Sequence, residues 1–343
     1  MIKSCPSDSL IDYLELRLEP MKTALITGIT GQDGSYLTEL LLNRDYNVHG
    51  IVRKTSGTFA ENLTHLFERY LDKQLHLYYG DVLDPIGILN ILKVVKPDEV
   101  YNLAAQSHVK VSSDIPIYTD SVVNGSAQIL TEFAWQQNSN VRIYQASTSE
   151  MFGKSPAPQS EFTRFQPQSN YAVSKLAAYW HAVNFREAHN AFVVNGILFN
   201  HESPRRHESF VTQKIIRGAI AIKYKRKNTL ELGNLDSIRD WGYAPEYVEA
   251  MWRMLNYDKP EDFVIATGIG STVREFCELT FSKLDLNYED YVVQSNKFKR
   301  ESDVERLIGD ATKAASLLGW KSKISVDKLI DIMLEAELAS HSD

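Results

Sequence analysis

Residues 23–34 read TALITGITGQDG, and this stretch decides the fold. Its first five residues form a short apolar run, which is typical of a buried parallel strand. Three glycines at the spacing G-x-x-G-x-x-G follow, and residues 35–42 then carry apolar side chains at helical spacing. A strand, a glycine turn and a helix in this order indicate a site for the diphosphate of a dinucleotide, although an ordinary glycine-rich turn is the alternative. The expected diphosphate contacts are Gly28, Thr30, Gly31, Gln32, Asp33 and Gly34.

Strand-like and helix-like segments go on alternating over roughly the first two hundred residues. This rhythm predicts an α/β fold with a Rossmann-type, doubly wound parallel sheet. After residue 200 the pattern loosens, which predicts a smaller C-terminal substrate-binding lobe interleaved with the last strands of the sheet. We therefore divide the chain into an N-terminal extension (1–20), a cofactor-binding domain (21–200) and the lobe (201–343). The predicted strands are 23–27, 48–52, 75–79, 99–103, 141–145 and 192–198, and the predicted helices include 85–95, 122–137, 210–225, 245–255, 273–284, 310–318 and 326–338.

Composition and charge argue against several classes of partner. The formal net charge of -7 disfavours nucleic acid and anionic membranes as partners, and no apolar run approaches the ~18 residues of a membrane span. Charged residues interrupt residues 1–20, so we do not expect a signal peptide there. Cys5 and Cys277 have no neighbour at metal-ligand or redox spacing. We expect two free thiols, no metal and a cytoplasmic protein.

The residues after the second predicted strand indicate which dinucleotide binds. An NAD-selective site usually has an acid there for the ribose 2′-hydroxyl, whereas this chain has Arg53, Lys54 and Ser56. Cations and hydroxyls suit a 2′-phosphate, so the sequence predicts NADP, with a solvated loop as the alternative. Asp81 after the third strand is a candidate adenine contact. Further cofactor contacts are expected at Val82, Leu103, Ala105 and Ser107.

Tyr171 and Lys175 form a Y-x-x-x-K pair, one helical turn apart on one face. A neighbouring ammonium lowers the pKa of a phenol, so Tyr171 is predicted to act as acid and base, while Lys175 can bond to the nicotinamide ribose. Thr148, at the end of an intervening strand, is expected to bond to a sugar hydroxyl beside Tyr171. These features together are typical of the extended short-chain dehydrogenase/reductase family.

Glu150 adds a carboxylate to the same predicted cleft. A simple reductase or epimerase of this fold needs Tyr, Lys and Ser or Thr, but has no use for a further base. Elimination of water across C5–C6 of a hexose does need one, to remove the C5 proton and protonate the departing hydroxyl. Glu150 is therefore a candidate for that role, and a surface or helix-capping carboxylate is the alternative.

Longer stretches of the chain add to these motifs, and they are ITGITGQDGSYL (26–37), YNLAAQSHV (101–109), YQASTSEMFGK (144–154), NGILFNHESPRR (195–206), GNLDSIRDWGY (233–243) and GDATKAASLLGW (309–320). They resemble GDP-mannose 4,6-dehydratases, in register from about residue 22 to residue 333. The resemblance implies a redox-neutral reaction of GDP-mannose in which NADP oxidises C4, water is lost across C5–C6 and the hydride returns to C6. A C4 ketone acidifies the C5 proton, which is why oxidation has to precede elimination.

The same resemblance implies further site residues and a homodimer or homotetramer. His201 is implied at the cofactor, Arg205 or Arg206 at the cofactor or its loop, and Lys214 at the guanine. Arg239 and Arg300 would hold the diphosphate of the substrate. The implied substrate contacts are Ser107, His108, Thr148, Glu150, Asn200, Lys214, Gly233, Arg239, Arg300 and Asp303.

Some positions depart from the family pattern. Residues 57–66 have no arginine where the family carries one that reaches a neighbouring subunit, and Asp303 stands where a ribose-binding Glu is expected. Nucleotide recognition and assembly therefore look modified, whereas the catalytic residues are intact. A GDP-sugar 4-reductase or epimerase, a dehydratase with added reductase activity, and an inactive NADP-binding protein are the competing hypotheses.

Overall fold

The computed structural model describes residues 21–54, 61–295 and 304–340. The predicted extension 1–20, the departures at residues 57–60 and the candidates Ser56, Arg300 and Asp303 lie outside these ranges. No helix in the described part of the chain is both long enough and apolar enough to cross a membrane.

Seven parallel strands form the central sheet, in the order β10-β6-β5-β4-β1-β2-β3. The apolar run that opens the quoted stretch is β1, and β2 and β4 flank it, so the chain reverses direction across the sheet at that point. This topology confirms the doubly wound α/β prediction. The strands are β1 Thr23–Thr27, β2 Asn47–Val52, β3 Leu75–Tyr79, β4 Glu99–Asn102, β5 Arg142–Thr148, β6 Phe192–Leu198 and β10 Phe263–Ile265.

Helices cover both faces of the sheet, as buried parallel strands require. On one face α1 and α9 pack through residues such as Leu37, Leu41 and Met251, and on the other α3, α6 and α7 pack through Leu92 and Phe185. The helices are α1 Gln32–Leu42, α2 Thr64–Tyr70, α3 Pro85–Val95, α4 Val109–Asp114, α5 Pro116–Asp120, α6 Ser126–Gln137, α7 Asn170–His189, α8 Val211–Lys223, α9 Ala244–Leu255, α10 Val273–Ser282, α11 Thr312–Leu317 and α12 Val326–Ala339.

The C-terminal half also builds a second layer of small sheets. Strand β9 pairs with β7, β11 and β13, and β8 pairs with β12. Helices α8, α10 and α12 bury a separate apolar core against them. Strand β9 lies in a small sheet, but the next helix, α9, packs against the central sheet and β10 is one of its strands. The chain therefore crosses between the central sheet and the small sheets more than once. The strands are β7 Asn200–Glu202, β8 Leu230–Leu232, β9 Ile238–Tyr243, β11 Gly270–Thr272, β12 Val292–Gln294 and β13 Arg306–Leu307.

Candidate active site

A cleft of about 2150 Å³ lies between the central sheet and the small sheets. Its wall includes the residues at the carboxyl ends of β1 to β6, which is where doubly wound sheets bind ligands. Predicted site residues that lie as far apart in the sequence as Gly28 and Arg239 therefore line the same cleft. The predicted residues in the wall are Gly28, Thr30, Gly31, Gln32, Asp33, Gly34, Arg53, Asp81, Val82, Leu103, Ala105, Ser107, His108, Thr148, Glu150, Tyr171, Lys175, Asn200, His201, Arg205, Arg206, Lys214, Gly233 and Arg239.

The glycine turn has the shape that a diphosphate site needs. Gly28 has φ +70°, and a Cβ there would lie 3.0 Å from the backbone nitrogen of Ala104. A Cβ on Gly34 would lie 2.3 Å from the carbonyl oxygen of Gly28, so the turn and α1 approach each other too closely for any side chain. Gly31 caps α1 without a side-chain hydrogen bond, which leaves N–H groups of the first turn available to an anion. These residues fit the diphosphate of a dinucleotide.

The residues after β2 and β3 form the adjoining wall. Arg53 Nη1 lies 3.5 Å from the Tyr118 hydroxyl, at the edge of the cleft. Lys54 is exposed and stands outside the cleft wall. Asp81 accepts a hydrogen bond of 2.9 Å from the backbone nitrogen of Leu83, which shapes the turn beside the cleft.

Tyr171 and Lys175 lie in the first turns of α7 and face the end of β5. Tyr171 is 8% exposed and hydrogen-bonds to Thr148, the last residue of β5. The Lys175 ammonium donates 2.6 Å to the carbonyl oxygen of Ala146, and its nitrogen lies 5.9 Å from the centre of the Tyr171 ring. Burial lowers the pKa of Lys175 to about 8. The strand end and the helix start therefore hold the three predicted catalytic side chains in one group.

The expected lowering of the Tyr171 pKa is wrong for the protein alone. Burial raises the pKa of Tyr171 above its ordinary value, since a phenolate in this position loses its water, and the hydrogen bond from Thr148 only partly offsets that effect. The charge of Glu150 raises the pKa of Tyr171 further. The ammonium of Lys175 is aimed at Ala146 rather than at the phenol.

Glu150 stands where a second acid–base group would be useful. It lies in a short 3-10 turn, Ser149–Met151, directly after β5. Its backbone nitrogen donates 3.3 Å to the Thr148 hydroxyl. Its carboxylate lines the cleft and is close enough to Tyr171 to act on the phenol electrostatically. The turn therefore puts the carboxylate beside the tyrosine.

The lobe contributes cations with backbone partners. Lys214 Nζ donates 2.6 Å to the carbonyl oxygen of Glu231, and Arg239, only 7% exposed, donates 2.8 Å to that of Val304. Asn200 and Gly233 lie in the same wall.

The two adjacent arginines Arg205 and Arg206 of the cleft wall have different partners. Arg205 bonds to Ser35 and Glu39 of α1 and stacks over Tyr36, whereas Arg206 forms an ion pair of 3.0 Å with buried Glu202.

A model of the GDP-mannose 4,6 dehydratase family matches residues 25–333. The chain belongs to the GDP-mannose 4,6-dehydratase family. The Arabidopsis thaliana protein named GDP-mannose 4,6 dehydratase 2 is 50% identical over 328 residues, which cover 94% of this chain and 88% of that protein. A Caenorhabditis elegans protein with the same name is 47% identical and covers 96% of this chain and 93% of its own length.

Solved structures share the fold of this GDP-mannose 4,6-dehydratase family member at lower identity. One is the dTDP-glucose 4,6-dehydratase DesIV of Streptomyces venezuelae, solved with NAD and TYD bound. It is 22% identical, has a TM-score of 0.83 and covers 93% of this chain and 98% of its own. At this identity the likeness shows the fold alone.

Several supporting contacts of this family member have no signal in the sequence. Asn62 donates 3.0 Å to the carbonyl oxygen of Thr30 and so holds the glycine turn in place. The Tyr171 backbone nitrogen donates 3.2 Å to Ser112, which ties the start of α7 to α4. Each contact joins residues that are at least 32 positions apart, and polar residues of these types occur throughout the chain.

Proposed function

We propose that this chain is an NADP-dependent GDP-mannose 4,6-dehydratase, a carbon–oxygen lyase that converts GDP-D-mannose to GDP-4-dehydro-6-deoxy-D-mannose. Family membership over nearly the whole chain supports the proposal. The observation that carries the reaction type is Glu150, a carboxylate beside Thr148 and Tyr171 in one cleft. A dehydrogenase that stops at the ketone does not need this third group.

NADP would be held by the turn Gly28–Gly34 and Arg53, and when bound it supplies the hydride acceptor and donor. Thr148 and Tyr171 would hold the C4 hydroxyl, and Tyr171 would take its proton as C4 becomes a ketone. Because burial raises its pKa, Tyr171 rests as the neutral phenol, and it must ionise with the help of Lys175 and the bound ligands before it can take that proton.

Glu150 performs the step that defines a dehydratase. Once C4 is a ketone, the C5–H bond is acidified, and the carboxylate takes that proton. The proton then goes to the C6 hydroxyl, which leaves as water, and the C5–C6 double bond forms. One residue can do both because the proton it removes is the one the leaving group needs.

The decisive experiment incubates purified protein with GDP-mannose and catalytic NADP, without added reductant. We expect one equivalent of a 4-keto-6-deoxy product and no net NADPH. Glu150→Gln should lose this product by about 10²–10⁴-fold, the usual contribution of an acid–base group, while still forming some 4-keto sugar. Glu132→Gln, at an exposed position of helix α6, is the matched control.

Other outcomes separate the competing hypotheses. Full turnover by Glu150→Gln would show that Glu150 is not the acid–base group of the elimination step. Turnover of another nucleotide-sugar, with GDP-mannose unchanged, would point to a different substrate. A product that forms only with stoichiometric NADPH would favour the GDP-sugar reductase.

We also propose a cytoplasmic homo-oligomer. Buried Cys277 is a free thiol, as is common in reducing compartments. Val173 and Trp180, two turns apart on α7, are 54% and 55% exposed, and Ile117 of the adjoining α5 is 83% exposed. Apolar side chains grouped on packed helices favour a self-association surface. Light scattering on the purified protein distinguishes monomer, dimer and tetramer, and Trp180→Glu should shift the mass downward.

A further inference from the structure

Asp33 places a carboxylate in the first turn of α1, next to the N–H groups that the diphosphate needs. A helix N-terminus carries only about +0.5 of an elementary charge, which is too little to offset both a carboxylate and a diphosphate. A diphosphate arriving beside an ionised carboxylate would meet like-charge repulsion, which weakens binding strongly in a partly buried site. The glycine turn therefore needs a positive charge to compensate Asp33.

His201 supplies that charge. Its Nε2 lies 2.9 Å from Asp33 Oδ2, and its Nδ1 lies 2.7 Å from the carbonyl oxygen of Phe199. A carbonyl and an ionised carboxylate can only accept, so both ring nitrogens donate and the ring is an imidazolium cation. Burial by itself would lower the pKa of His201, but Asp33 and the Phe199 carbonyl raise it above the ordinary value. Burial likewise opposes ionisation of Asp33, yet His201 lowers the pKa of Asp33 to about 2.

Other charged and titratable groups around the pair do not replace His201. Arg206 acts on both members but is already paired with Glu202. Tyr247 of α9 stacks on the His201 ring with centroids 4.6 Å apart. Lys175 is coupled to Asp33 electrostatically, but its ammonium donates to Ala146.

Neutral bonds hold the same two segments together independently of the charges. Gln32 Nε2 donates 3.1 Å to the carbonyl oxygen of His201, and the Ser203 hydroxyl donates 2.8 Å to Gln32 Oε1. The turn and β7 therefore stay joined if the ion pair is neutralised. The charge of His201 and its structural role can be separated by mutation.

We propose that His201 is a charge-compensating residue that neutralises Asp33 so that the glycine turn can accept the cofactor diphosphate. The inference rests on the proposed NADP site and adds a determinant of cofactor affinity to it. The imidazolium persists below the raised pKa of His201 and is lost as the pH rises through it, whereas Asp33 stays ionised throughout that range. Affinity for NADP should therefore fall with rising pH in the wild type.

The test measures Kd for NADP by calorimetry with His201→Gln, Asp33→Asn and the double variant, at constant ionic strength. Gln keeps a donor near the Nε2 position but carries no charge, so His201→Gln should bind NADP about tenfold to hundredfold more weakly. Asp33→Asn in the same chain should restore affinity to within about threefold of wild type and leave only the pH dependence that Lys175 causes near pH 8. The control probe is 2′-AMP, which has no diphosphate, and its Kd should change little in any variant.

The failures can be told apart. If the double variant binds NADP as weakly as His201→Gln, or if 2′-AMP is weakened equally, His201 has a structural role only and the inference is wrong. If the wild type binds neither NADP nor 2′-AMP, the proposed NADP site is itself wrong, and the inference that depends on this site is wrong as well.

Discussion

Gly34→Ala is the change whose consequence can be worked out most directly from the structure. The added Cβ would lie 2.3 Å from the Gly28 oxygen, 1.1 Å inside the 3.4 Å at which ordinary contact begins, and 2.6 Å from Ile29 Cα. All the opposing atoms are backbone, so the start of α1 has to move away from the turn. Overpacking of this kind costs about 1–3 kcal/mol of unfolding free energy. A shift of about 1 Å also misplaces the N–H groups, so NADP should bind at least about tenfold more weakly, equivalent to ~1.4 kcal/mol.

The assay combines urea denaturation with the calorimetric Kd for NADP. Gly125→Ala is the matched control, because Gly125 has helical angles and a Cβ there has no atom within 4 Å. It should leave Kd unchanged and raise stability by roughly 0.5–1 kcal/mol. Normal NADP affinity in Gly34→Ala would refute the assignment of the turn as the diphosphate site.

Three further predictions concern catalysis, pH and the core. Tyr171→Phe should lower kcat by about 10²–10⁴-fold with little change in NADP affinity, because only the acid–base hydroxyl is lost; kcat within tenfold of wild type would exclude that role. Activity should fall as the pH rises through about 8, where Lys175 loses its proton, and a pH–rate profile that stays flat from pH 7 to 10 would contradict this. Asp262→Ala should cost about 3–5 kcal/mol in urea unfolding, because it leaves half-buried Arg186 without the partner that holds it at 2.7 Å; a loss below 1 kcal/mol would show that the pair is unimportant.

Local patterns located most of the central sheet. The predicted segments 23–27, 75–79 and 192–198 coincide with β1, β3 and β6, because apolar and aromatic residues make up most of each strand. The strand predicted at 141–145 in fact runs from Arg142 to Thr148. Its last residues are polar because they face the cleft, and the apolar pattern therefore ends before the strand does. The helix predicted at 122–137 begins with a π turn, Ser121–Gly125, and the short helices α4 and α5 before it were not predicted.

The sequence by itself determined the glycine turn, the Tyr171–Lys175 pair and the candidate base Glu150, because each lies within a few consecutive residues. Tertiary structure decided how their charges behave. The pKa of Tyr171 depends on burial under distant segments, and the cation on His201 depends on Asp33, 168 positions away. Desolvation and ion pairing are properties of atoms close in space, and a pattern along the chain does not record them.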